Sequence, residues 1–259
     1  MNIGISTACF YPMPTEDAVQ ILADLDVDRI ELFLNSHDEF SDEFIESLLS
    51  ITEKNNIKIC AVHPYTSGYE HFLFSPEYIR RVDESLLYYE YLFKAAKKLR
   101  ASYFSFHGAE KPSIYKCFDK YCEIIKRLTD TAYKHDIIFC QENVSNKMSS
   151  SPEFMGMLIS QLGEGNIFFT LDLKQANRAG VAPDKMLEVM GKGLRHIHIN
   201  DFDENHDCLI PGAGNYDLKK FIDKLKQKEY DGNLIIEVYR HNYDDYNKLS
   251  KAKKILENL

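Results

Sequence analysis

Short apolar runs alternate along this chain with longer stretches in which apolar residues recur every three or four positions. The short runs fall at 3–7, 29–34, 58–63, 102–107, 137–142, 167–172, 194–200 and 233–238. Most are rich in Ile, Val and Phe, the pattern of strands buried on both faces of a parallel sheet. Between them, Ile79, Val82, Leu86, Tyr89, Phe93 and Ala96 fall on one helical stripe. Phe118, Tyr121, Ile125, Leu128 and Ala132 form a second, and Leu249, Ala252, Leu256 and Leu259 a third. These positions are read as core and given no further role. Ser41, followed by Asp42 and Glu43, offers a helix N-cap. Pro76, Pro112, Pro152 and Pro183 stand near the starts of helical stretches, where a missing N–H costs little.

Eight strands alternating with eight helices, at roughly 30 residues per unit, predict an α/β fold. The expected architecture is a (βα)8 TIM barrel forming a single domain over residues 1–259. A doubly wound open sheet would carry a glycine-rich phosphate loop after its first strand. Here the first run leads into STACFYPMP, and neither GxGxxG nor GxxxxGK[ST] occurs. No linker or low-complexity tract divides the chain.

Composition changes this picture little. Hydrophobic residues make up 44% and charged residues 27%, which excludes a mainly disordered chain. The net charge of −9, with lysines spread along helical stretches, disfavours nucleic acid as a partner. The six cysteines form no CxxC pair and read as free thiols, Cys60 and Cys140 within apolar runs. The N-terminus lacks the pattern of a signal peptide, and no stretch approaches the roughly 20 apolar residues of a membrane span. The expected location is the cytoplasm, with no membrane partner. Oligomeric state stays open, a homo-oligomer included.

The chemistry lies in what ends each run, because the active site of a βα barrel forms at the C-terminal ends of its strands. The third run ends at His63, the fourth at His107, the fifth at Glu142 and the sixth at Asp172. His198 lies near the end of the seventh and Glu237 near the end of the eighth. A carboxylate after an apolar run is costly to desolvate unless it is paired or meets a cation. A lone histidine after a strand is more often a hydrogen-bonded loop residue than a ligand. Six strands ending this way in register make a set, and the set predicts a mixed nitrogen–oxygen site for one divalent metal ion. Its ligands are Glu142, Asp172, His198 and Glu237. Mn²⁺ or Zn²⁺ is the first expectation, with Mg²⁺ and Co²⁺ as further candidates. His63 and His107 are read as substrate-binding groups or as further ligands. Glu31, closing the second run, is read either as a substrate contact or as a polar residue satisfied inside the barrel mouth. His196 is expected to point away from His198 and to be structural.

This set of strand ends resembles the xylose-isomerase-like barrels, which include sugar epimerases and isomerases, inosose dehydratases and apurinic endonucleases. The resemblance runs from NIGIST to LIIEVYR, and its most specific pieces are LDLKQANRAGVAP, HIHINDFD and the PGAGNYD loop. It implies that Glu142, Asp172, His198 and Glu237 hold one metal. It also places His63 and His107 at endonuclease positions that bind another zinc beside the shared glutamate. The chain departs from the family at two points. Gln175 stands where a histidine is usual, and His206-Asp207-Cys208 where Asp-x-His is frequent. Those are the third-zinc positions of the endonucleases, and glutamine is a poor zinc ligand.

The function implied is a metal-dependent sugar, or sugar phosphate, isomerase or epimerase. Glu142 and Glu237 would act as acid and base at the carbon next to a carbonyl, through an enediolate. Gln175 and His107 would bind substrate hydroxyls, and Arg240 a phosphate or carboxylate. Three alternatives stay open: a dehydratase or lyase on cyclic polyols, an apurinic endonuclease, and a non-catalytic sugar-binding barrel.

Overall fold

The eight apolar runs pair edge to edge in sequence order, each parallel to the next, and the last returns to the first to close a barrel. The structure is a computed structural model and describes residues 1–110 and 117–259, so Pro112 lies outside the described residues. Strands β1 to β8 are Asn2–Ser6, Arg29–Leu34, Lys58–Pro64, Tyr103–Phe106, Ile138–Glu142, Phe168–Asp172, Leu194–Ile199 and Asn233–Ile236. Ten α-helices surround them among the described residues: α1 Thr15–Asp24, α2 Asp42–Lys54, α3 Glu70–Leu73, α4 Ile79–Lys98, α5 Phe118–Tyr133, α6 Pro152–Leu162, α7 Leu173–Arg178, α8 Pro183–Met190, α9 Leu218–Gln227 and α10 Asn247–Glu257.

The sequence predicts eight helices, one per strand, and two βα units differ. After β6 the backbone turns at Gly180, whose φ is +69°, and Pro183 restarts the helix at its first position. One helical stretch thus becomes α7 and α8. After β3, the short α3 precedes α4, and Pro76 lies three residues ahead of α4. Ser41 caps α2 by accepting from Phe44 N–H.

The helical stripes pack on the outer face of the barrel. Tyr89, Phe93, Phe104, Phe106 and Phe139 meet there in tilted and edge-to-face pairs. The barrel interior is partly polar: Ser105 and Thr170 hydrogen-bond inside it, and Glu31 and His196 are fully buried. No described helix is long and apolar enough to cross a membrane. Register sets the site. Asp172 pairs with His198, and β4 and β8 end one residue short of His107 and Glu237.

Candidate metal centre and its pocket

Glu142 ends β5, Asp172 ends β6, His198 lies one residue from the end of β7, and Glu237 follows β8. Neighbouring strands therefore carry these side chains to one arc of the barrel rim. His198 Nδ1 lies 2.9 Å from Glu237 Oε2, 3.8 Å from Glu142 Oε1 and 3.9 Å from Asp172 Oδ2. Glu142 Oε2, Asp172 Oδ2 and His198 Nδ1 are buried without a well-aligned hydrogen bond, the last two within ion-pair distance of Lys174 and Glu237 respectively. Three carboxylates and an imidazole thus crowd together with the Lys174 ammonium against two of the carboxylates, and this much buried negative charge favours a further cation. Ligand atoms spaced this way suit a single ion with bonds of roughly 2.0–2.2 Å, and the mixed oxygen–nitrogen set suits a divalent one. The residues present fit a metal.

A second cluster shares Glu142. His63 Nε2 lies 3.1 Å from His107 Nε2 and 3.4 Å from Glu142 Oε2, and His107 Nε2 lies 3.5 Å from the same oxygen. His63 is buried and stacks on Phe33, while His107 is partly open. Burial takes His107 down to about 4, which keeps its ring neutral and able to accept or ligate.

The supporting residues explain why the ring holds its shape. Asn143 ties β5 to β6 by donating to Asp172 O and accepting from Asp172 N–H. Asp172 Oδ1 also accepts from Gln175 N–H and from Asn200. Gln175 turns its side-chain oxygen to Ser145 N–H, which fastens the loop after β5 to α7. Glu70 in α3 accepts from the backbone N–H groups of His107 and Gly108 and from Tyr89, while burial pushes its carboxyl up to about 7. Burial and the charges of Glu237 and Glu142 raise Asp172, against the pull of Lys174. Burial works against Glu237 too, yet Lys174 and His198 hold it well below the usual carboxylate range.

The structure bears on three readings from the sequence. Of the two readings for Glu31, the structure fits the polar residue satisfied inside the barrel: it is fully buried, and its Oε2 meets His196 Nε2 at 2.7 Å and His198 Nε2 at 3.1 Å. It orients the His198 ring by holding the nitrogen opposite the one that faces the site. His196 does not point away from His198. Residues two apart on a strand share a face, so both rings reach the same glutamate. Arg240 is also directed elsewhere. Its guanidinium lies over Tyr243 and Tyr246, and its Nη1 donates to Tyr243 O. At the third-zinc positions, Asp207 pairs with Arg178, His206 with Asp203, and Cys208 is buried. None of them belongs to a metal-ligating group among the described residues.

A cavity of about 450 Å³ opens beside the ring. Tyr11, Phe33, Tyr65, Tyr239 and Asn35 line it, and Glu237 faces it. Glu237 is 15% exposed, against 0–2% for Glu142, Asp172 and His198. Among its described lining residues there is no lysine or arginine. The sequence reading overlooked this aromatic wall, and it overlooked Lys174 and Asn143. Phe33 lies in β2, while Tyr11, Tyr65 and Tyr239 come from the segments after β1, β3 and β8 and carry no periodic signal. Lys174 had a signal: a lysine two residues past an apolar strand end, in LDLKQA.

A sequence model of the family described as xylose isomerase-like TIM barrel matches residues 19–259. An uncharacterized protein of Methanocaldococcus jannaschii is 22% identical over 274 residues, covering 99% of this chain and 88% of its own. The crystal structure of D-psicose 3-epimerase from Clostridium cellulolyticum H10, with D-tagatose, superposes with a TM-score of 0.82 at 17% identity, over 100% of this chain and 97% of that one. The probable 3-DHS dehydratase from Bacillus anthracis superposes with a TM-score of 0.75 at 16% identity, over 100% and 99%. At these identities the two structures are evidence of a shared fold.

Proposed function

The chain belongs to the xylose isomerase-like TIM barrel family, and on that premise we propose that it is a metal-dependent isomerase or epimerase of a small, uncharged sugar. One observation carries the reading. Glu142, Asp172, His198 and Glu237 bring three carboxylates and an imidazole together beside an aromatic cavity, and Glu237 alone of the four is partly open to it. Sugar epimerases among the solved structures of this fold support the reaction class.

When bound, a divalent ion would polarise the substrate carbonyl as a Lewis acid. Glu237, on the cavity side, removes the proton from the carbon beside that carbonyl. Glu142, deeper and next to His63 and His107, returns one from the other side or to the adjacent carbon. His107, partly open and neutral, hydrogen-bonds a substrate hydroxyl. The aromatic wall covers the apolar face of a sugar ring or chain and excludes water. The described lining of the cavity carries no lysine or arginine of its own, and on that ground we expect an unphosphorylated substrate.

The test is a panel of free and phosphorylated ketoses, with inosose, incubated in deuterated water with Mn²⁺. We expect one free ketose to be converted and to gain deuterium at the carbon beside its carbonyl. Conversion of phosphorylated sugars alone would overturn the uncharged substrate. Loss of water from inosose without epimerised product would replace the isomerase with a dehydratase.

A further inference from the structure

Lys174 enters the ring from the first turn of α7 and is 3% exposed. Its Nζ lies 3.1 Å from Asp172 Oδ2, 2.9 Å from Glu237 Oε1 and 5.1 Å from the centre of the Tyr239 ring. An ammonium this deeply buried is held by carboxylates or not at all. Asp172 Oδ2 also lies 3.9 Å from His198 Nδ1, and Asp172 and His198 belong with Glu142 to one potential metal-ligating group. A divalent ion and Lys174 therefore draw on the same oxygen, and Lys174 grips the second carboxylate, Glu237, by its other oxygen. Like charges this close repel strongly in a site screened from water.

We propose that Lys174 is an internal counter-cation, which stabilises the ion-free ring and weakens its hold on a divalent metal. The inference rests on the metal reading above. It gives the site a second stable state: without the ion, Asp172 and Glu237 close on Lys174 rather than repelling each other. The ion then binds against a cation already in place, so the affinity is lower than three carboxylates and an imidazole would give alone. Lys174 is a positioning residue in this account, since it acts through Asp172 and Glu237.

The test is Mn²⁺ uptake by chelator-stripped protein, with the free ion followed by electron paramagnetic resonance. Lys174→Met removes the charge and keeps the bulk. It should bind Mn²⁺ at least about 10-fold more tightly than the wild type, as expected when a neighbouring cation is deleted. Its ion-free form should melt below the wild type, and Mn²⁺ should close the gap. Lys174→Arg, which keeps the charge, should bind no more tightly than the wild type. Lys174→Gln carries the same expectation as Lys174→Met, and decides the matter if the methionine variant does not fold. Mn²⁺ binding by the uncharged variants that is equal to the wild type or weaker overturns the proposal while the metal reading stands. No uptake of Mn²⁺ or Zn²⁺ by the wild type, with uptake by Lys174→Met, supports it in its strongest form. Uptake by neither overturns the proposal and the metal reading together.

Discussion

Glu142 and Glu237 look alike in the sequence, and their surroundings divide them. Glu142 is wedged among His63, His107 and His198. Glu237 meets His198 and Lys174 and opens on the cavity. In the proposed mechanism each carries a proton as well as a ligand oxygen. Glu→Gln keeps the shape and one oxygen but removes the base. Either change should therefore lower turnover by a factor on the order of 10² or more, the cost of losing a positioned acid or base. His63→Ala should be milder, because that ring touches Glu142 and Phe33 and is closed off from the cavity. Steady-state kinetics on the substrate found in the ketose panel would check this. A Glu142→Gln, Glu237→Gln double variant with near wild-type turnover would sink the proton-transfer mechanism and leave the ring a structural or different role.

At the scale of elements, the barrel rim depends on side chains that tie one loop to the next. Gly108, just past β4, has φ +80°, and a Cβ there would lie 2.5 Å from the Tyr121 hydroxyl and 2.8 Å from Gln141 Oε1. Only glycine lets the chain turn there beneath His107. Asp201, just past β7, holds the PGAGNYD loop: its Oδ2 accepts from Gly212 and Gly214 N–H, and its Oδ1 from Phe202 and Tyr216 N–H. Removing that carboxylate strands several N–H groups at once. Asp201→Ala should lose roughly 1–3 kcal/mol of stability in a denaturant melt and open residues 208–217 to limited proteolysis. Wild-type protease resistance in this variant would show that the loop is held by its packing instead.

At the scale of the whole molecule, the charge distribution bears on the nuclease alternative. The chain carries a net −9, and the third-zinc positions are taken up by the Arg178–Asp207 and Asp203–His206 pairs. An abasic duplex would meet a repulsive surface and an incomplete metal cluster. We expect no metal-dependent nicking of abasic DNA at physiological salt, and about one divalent ion per chain by elemental analysis. Efficient nicking, or three zinc ions per chain, would revive the endonuclease.

The fold was legible because its signal is local and repeated. Each of the eight apolar runs became a strand within two residues at either end, since a strand buried on both faces must be apolar throughout. The strand-end residues were legible for a related reason. A charged side chain directly after such a run sits on the barrel rim, whatever the helices do, and that brought Glu142, Asp172, His198 and Glu237 to one side. What the sequence did not contain was contact between residues far apart in the chain. The bond between Glu31 and His196 spans 165 positions, and the Lys174–Glu237 bond spans 63. Parity within β7, by contrast, is local to the chain, and it puts His196 on the same face as His198. The closure of the barrel decided that Glu31 lies behind that pair and that Lys174 falls between two carboxylates. Strand periodicity is a property of the chain; the distance across a barrel exists only once eight strands have closed.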